Sequence, residues 1–155
     1  MIEQVKDIAA ELTPDFCASI KAQHDPVRPF MPFNREHFIK TWNTVQKAGI
    51  GACWKLTEDG VVKGAIGGVA ADEMIDGGRV ASLAFWFARN GDGSSFNATV
   101  LFLKWEMWAL LQKPNRIVCA VCYDTLNGAQ ELFLKTRGYS PYEVRLYKTL
   151  KAHGN

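Results

Sequence analysis

Two rhythms of apolar and polar residues run along this chain, and the places where one gives way to the other mark its elements. In "REHFIKTWNTVQKAG", Phe38, Trp42 and Val45 recur at helical intervals, with Asn34 placed to cap the start and Gly49 to stop the end. "TPDFCASIKAQ" reads as an earlier helix, with Thr13 as cap, Pro14 at the first position and a carboxylate in the first turn. Before it, "IEQVKDIA" reads as a short strand. Between the two helices, the prolines of "HDPVRPFMPFN" break any helix and leave Phe30, Met31 and Phe33 in a loop.

From Gly51 the rhythm shortens. "GACWKLTEDGVVKGAIGGVAA" predicts two strands around the turn "EDG", and "DEMIDGG" a second turn before "RVASLAFWFA", giving a three-strand antiparallel meander. After "RNGDGSS", the residues Phe96, Val100, Leu103, Met107 and Leu110 fall on one helical face, with Trp105 and Trp108 beside it, until Pro114 ends the pattern. "RIVCAVCY" follows as a buried strand, so "LAFWFA", the helix at 94–112 and "RIVCAVCY" form a βαβ unit with parallel strands and a right-handed crossover. "NGAQELFLKTRG" predicts a helix closed by Gly138, and "YEVRLYKTL" a last strand. The predicted order is β-α-α-β-β-β-α-β-α-β, in one domain over 1–155.

Composition narrows the partners. Eighteen basic against sixteen acidic side chains leave a formal charge of +2, too little for binding a phosphate backbone, so nucleic acid is not expected. "MIEQVKDIAAEL" carries charges where a signal peptide needs an apolar core, and no apolar run reaches spanning length, so a cytoplasmic protein without membrane attachment is expected. Cys17, Cys53, Cys119 and Cys122 show no framework spacing and are expected as thiols. The pair in "IVCAVCY" falls on opposite faces of a strand, and His24, His37 and His153 lack ligand spacing, so no metal site is expected.

The stretch "RNGDGSS" carries the clearest chemical question. It sits between a strand and a helix, where unpaired N–H groups and the helix dipole favour an anion such as a phosphate. A plain turn with Ser94 as cap explains the same residues.

The order of elements, with "RVASLAFWFA", "FLKWEMWALLQ", "RIVCAVCY" and "NGAQELFLKTRGYSPYEVRLYKTL", resembles the GCN5-related N-acetyltransferase (GNAT) superfamily over nearly the whole chain, and in particular short acetyltransferase-like proteins of bacteriophages. The resemblance implies a single-domain α+β fold: a mixed, mostly antiparallel sheet with a parallel βαβ unit and flanking helices. It implies acetyl-CoA as cosubstrate, lying between the fourth and fifth strands, and transfer of its acetyl group to a primary amine. Phe87 and Ala88 on the fourth strand, then Gly93, Ser94, Ser95, Asn97 and Ala98 at the loop and helix start, and Asn127 would hold it. The family's loop pattern falls on Gly93 to Ala98, where only Ala98 conforms and Phe96 replaces a glycine. A shifted frame through Arg89, Gly91 and Gly93 comes one residue short of restoring it.

The family's usual base, a glutamate, falls near Leu83, and its usual acid, a tyrosine, on Leu134 beside Phe133. Neither leucine can move a proton. Tyr123 is the nearest replacement acid in the chain, and Asp124 or Glu73 could act as base. The alternative is an inert protein of the same fold, a phage virion component or host-interaction factor, binding a protein partner or forming a homo-oligomer. The aromatics of "HDPVRPFMPF" would line an acceptor pocket, pack on the sheet or meet a partner.

Overall fold

The computed structural model describes residues 1–27, 32–89, 94–119 and 129–141. Strands β1 (Ile2–Gln4), β2 (Gly51–Glu58), β3 (Val61–Asp72), β4 (Arg79–Ala88) and β5 (Arg116–Val118) form one sheet in that spatial order. Each neighbouring pair is antiparallel except β4 and β5, which run parallel through the crossover helix α4 (Ser94–Leu111). Helices α1 (Ile8–Glu11), α2 (Pro14–Val27) and α3 (Arg35–Lys47) lie between β1 and β2, and α5 (Ala129–Thr136) follows β5. The α+β class and the mixed sheet are those expected; the strand "YEVRLYKTL" and the loop tip at Phe30 and Met31 lie outside the described residues.

Local chemistry explains most boundaries. Phe16 N–H donates to Thr13 Oγ1 at 3.2 Å and His37 N–H to Asn34 Oδ1 at 2.9 Å, so both expected caps are made. The β2–β3 turn puts Asp59 at φ 51° and Gly60 at φ 76°, the two left-handed residues of a type I′ hairpin. The first strand is shorter than expected. Asp7 Oδ1 accepts from Ala9 N–H at 3.0 Å and Ala10 N–H at 3.2 Å, which starts α1 where the strand reading continued to Ala9. Helix α2 extends past Gln23 to Val27, so Pro26 falls in its last turn. Phe33 lies in the loop before α3, as expected, and packs half-buried against the first layer with its ring 5.5 Å from that of Phe38.

Two layers cover the sheet. Val5, Ile8, Leu12, Phe16, Ile20 and Trp42 pack over one face against Cys53, Ala65 and Phe87. Leu101, Phe102, Trp105, Ala109 and Leu134 pack over the other against Trp54, Ile66 and Ala81. Adjacent glycines of β3 let both layers come close: a Cβ on Gly68 would lie 2.1 Å from Trp105 Nε1, and one on Gly67 2.6 Å from the Phe85 ring. The face that α4 buries is the reverse of the one expected from its spacing. Leu101, Phe102, Trp105 and Ala109 are inside, while Phe96, Met107 and Leu110 are exposed. Among the described residues no helix is long and apolar enough to cross a membrane.

Candidate functional site

Strands β4 and β5 pair over only three positions, Val80 with Arg116, Ala81 with Ile117 and Ser82 with Val118. Beyond Ser82, β4 continues to Ala88, and among the described residues no strand pairs with Leu83–Ala88 on that side. The same stretch carries a bulge. Gly67 faces Phe85 and Gly68 faces Leu83, so Ala84 is the extra residue, and it is exposed. Among the described residues, the row of main-chain N–H and C=O groups on that side of Leu83–Ala88 therefore has no strand partner.

At the far end of that row the chain turns into α4. Trp86 Nε1 donates to the carbonyl of Ala98 at 3.0 Å, and its ring stacks on Phe102 at 5.0 Å and Phe133 at 6.0 Å. This indole pins the first turns of α4 beside the open half of β4. Phe87 is buried in the first layer, so its main chain, not its ring, is what the open edge can offer. Ala88 ends the strand, Ser95 is exposed, and Asn97 is buried at 8% exposure. No acidic residue stands in the first turn of α4, so its N-terminal N–H groups keep their attraction for an anion. Phe96, in place of the family's glycine, is 68% exposed, its ring standing outside the core.

Arg89 is committed elsewhere. Its Nε donates to Ser19 Oγ at 3.0 Å, and its Nη2 donates to the Asp15 carbonyl at 3.2 Å and pairs with the Asp15 carboxylate, all on α2. The shifted loop frame, which began at Arg89, therefore has its first side chain turned toward α2. Gly91, Gly93, Tyr123, Asp124 and Asn127 lie outside the described residues. Ser94 begins α4. Glu73 sits at the opposite end of β4, paired with Arg116 where β5 starts. Leu83 is half-buried against the second layer and Leu134 is 5% exposed, so the usual base and acid positions are filled by packed hydrocarbon.

Sequence reasoning missed a polar cluster behind the last described pair of β4 and β5. Cys119 is the first residue of the β5 line after that pair, and its thiol neighbours the Tyr139 phenol. The Tyr139 hydroxyl donates to Glu106 Oε1 at 3.0 Å, and Arg137 pairs with Oε2 of the same carboxylate. Burial pushes the Cys119 thiol up to about 12, the tyrosine contact pulling against it and the Glu106 charge adding to it. Burial, then the neighbouring thiol and carboxylate, push the Tyr139 phenol upward as well. Cys119 thus keeps its proton and makes a poor nucleophile, and the phenol's proton is engaged by Glu106. Glu106 stands inside an apolar run, "FLKWEMWALL", and that is the signal that could have marked it.

Among the described residues the donor set fits an acyl-CoA in two respects: a strand edge at Leu83–Ala88 without a strand partner for the amides of its pantetheine arm, and a first turn of α4 without an acidic side chain for its pyrophosphate. No family model matches the chain and no curated protein matches it by sequence. Solved structures do. An aminoglycoside acetyltransferase from an uncultured soil metagenomic sample, in complex with trehalose, is 14% identical with a TM-score of 0.68, covering 97% of this chain and 96% of that one. AAC(6')-Iy, in complex with the bisubstrate analogue CoA-S-monomethyl-acetylneamine, is 13% identical with a TM-score of 0.62, covering 98% of each chain. The ribosomal-protein-alanine N-acetyltransferase of Brucella melitensis biovar Abortus 2308 is 13% identical with a TM-score of 0.58, covering 94% of this chain and 99% of that one. The fold is therefore that of the GCN5-related N-acetyltransferases. At these identities the likeness is one of fold.

Proposed function

We propose that this protein is an N-acetyltransferase that takes acetyl-CoA along the open half of β4 and acetylates a primary amine. What supports the reading is that, among the described residues, β4 pairs with β5 only through Ser82, with the bulge at Ala84 and the start of α4 beyond it. Bound there, acetyl-CoA supplies a thioester carbonyl for attack by an amine, giving the acetylated amine and CoA thiol.

The chain's own residues divide the work. Main-chain groups of Leu83–Ala88 bind and align the pantetheine amides, with the chain at Phe87 and Ala88 nearest the helix. N–H groups at Ser95, Phe96 and Asn97 are proposed to meet the pyrophosphate. Gly93, Ser94 and Ala98 are the further loop and helix positions that the resemblance assigns to it, and Asn127 is the one it assigns to the pantetheine arm or the loop before its helix. Leu83 and Leu134 exclude water and take no proton, so the amine enters as its free base or loses its proton through solvent. Tyr123 is the proposed proton donor to the leaving thiolate.

Titration calorimetry with acetyl-CoA, against CoA alone, tests the binding step. Affinity in the micromolar range, about −8 kcal/mol, is expected. Release of free CoA thiol with a panel of amines, lost in Tyr123→Phe, tests the chemistry. The leucines at both proton-transfer positions favour a second reading, an inert protein of this fold acting through its surface. Absence of heat with acetyl-CoA, together with an unshifted melting temperature, selects that reading.

A further inference from the structure

The outer side of α4 is the feature of this molecule least consistent with a solitary chain. Phe96, Val100, Leu103, Met107 and Leu110 follow one another at intervals of four, three, four and three, the spacing of a helix-to-helix seam. Phe96 is 68% exposed, Met107 63%, Leu110 60% and Leu111 77%, with Val100 and Leu103 half-covered. The opposite side of the same helix, through Leu101, Phe102, Trp105 and Ala109, fills the core. A helix apolar on all sides is a helix buried on all sides.

We propose that this seam is the two-fold interface of a homodimer in which α4 packs antiparallel on α4 of a second copy, with Leu103 at the axis. The seam is self-complementary about that point: Phe96 meets Leu110 of the other copy, and Val100 meets Met107. Antiparallel packing also opposes the two helix dipoles. Lys104 is the one exposed charged side chain that α4 carries, because Glu106 turns inward to Arg137 and Tyr139. No charge interrupts the seam itself. The exposed apolar side chains amount to on the order of 500 Å² per copy, at the upper end of what a monomer leaves uncovered. Doubled across a two-fold axis, this reaches about 1,000 Å², the lower bound of a specific interface, so dissociation in the micromolar range is expected. The positions used to test the interface, Met107 and Leu110, lie more than ten residues along α4 from its N-terminus, while Phe96 carries the seam to the start of the helix.

Sedimentation equilibrium of the full chain tests the proposal. Wild type should reach twice the chain mass of 17.3 kDa at concentrations on the order of 100 μM, and the double variant Met107→Glu, Leu110→Glu should dissociate at least 100-fold more readily while keeping the wild-type far-ultraviolet circular dichroism. Leu103→Cys, oxidised mildly beside wild type, should form a covalent dimer that wild type does not. A wild-type monomer at that concentration would overturn the proposal, leaving residues 142–155 or a different protein as the cover. A dimer that persists in the double variant, or a Leu103→Cys chain that does not cross-link, would also overturn it.

Discussion

The two layers that sandwich the sheet solve the same burial problem with different materials. In the α1–α3 layer the interior is aromatic and aliphatic, with Phe38, Trp42 and Phe85 in mutual contact at 5.3–6.0 Å and Phe16 on Phe87 at 6.1 Å. Its polar links stay at the margin, as Arg89 with Asp15 and Lys55 with Glu11. In the α4–α5 layer, polar groups go inside: Glu106, Tyr139 and Cys119 form a connected set, and Trp105 Nε1 is buried without a partner among the described residues. Apolar packing constrains volume, whereas hydrogen bonds also constrain direction. The directed contacts lie behind the last described pairing of β4 with β5.

That contrast can be broken from the second layer outward. The largest effect should come from Gly68→Ala, because its Cβ would lie 2.1 Å from Trp105 Nε1 and 2.7 Å from the Ser82 carbonyl. Overpacking there should cost about 3 kcal/mol in urea unfolding. Glu106→Ala comes next, at about 2 kcal/mol, since it strands the Tyr139 hydroxyl and Arg137, the latter partly reached by solvent. Trp86→Phe keeps the stacking but loses the bond to the Ala98 carbonyl, for about 1.5 kcal/mol. It should also weaken acetyl-CoA binding several-fold by calorimetry, since α4 is no longer pinned to β4.

Alkaline pH gives a milder probe of the same cluster. The Cys119 thiol goes from 9.0 to about 12 on folding, so the folded state holds the proton more tightly and the stability this contributes is complete below pH 9. It is lost as pH rises through the window up to about 12, with Tyr139 adding to the loss above its ordinary value of 10.0. Burial pushes the Cys53 thiol of the first layer upward as well, so Cys119→Ala should remove about 1 kcal/mol of the loss between pH 9 and pH 10 in urea unfolding and leave the share of Cys53 in place. The smallest effect belongs to the first layer. Arg89→Ala removes a marginal, half-exposed contact and should cost about 0.5 kcal/mol, against the larger loss at Glu106.

Local signals carried much of this fold. Thr13, Asn34, the Asp59–Gly60 turn and Gly138, at φ 87° after α5, each act within a few residues, and the crossover rule gave the parallel pairing of β4 with β5. The face of α4 was read in reverse because apolar residues occupy both of its sides, and periodicity does not say which side meets the sheet. The start of α1 was missed because Asp7, as a cap, outweighed a weak alternating pattern. At the site, the place between the fourth and fifth strands came from the family resemblance, not from the spacing of residues. The Glu106 cluster was not legible, since its partners lie 31 and 33 residues away in sequence. Arg89 read as part of the loop because its partners on α2 are 70 and 74 residues earlier.

In the described sheet the strands stand side by side in the order in which they occur in the chain. A ribosome releasing this protein would therefore deliver each strand next to one already made: β3 folds back on β2, β4 on β3, and β5 waits only for α4 to pass over. The early layer, α1 to α3, precedes all of these and can shield one face while the sheet grows. Accretion of the described strands at a single edge needs few distant encounters after β1 meets β2, and of these strands β5 is the last to join.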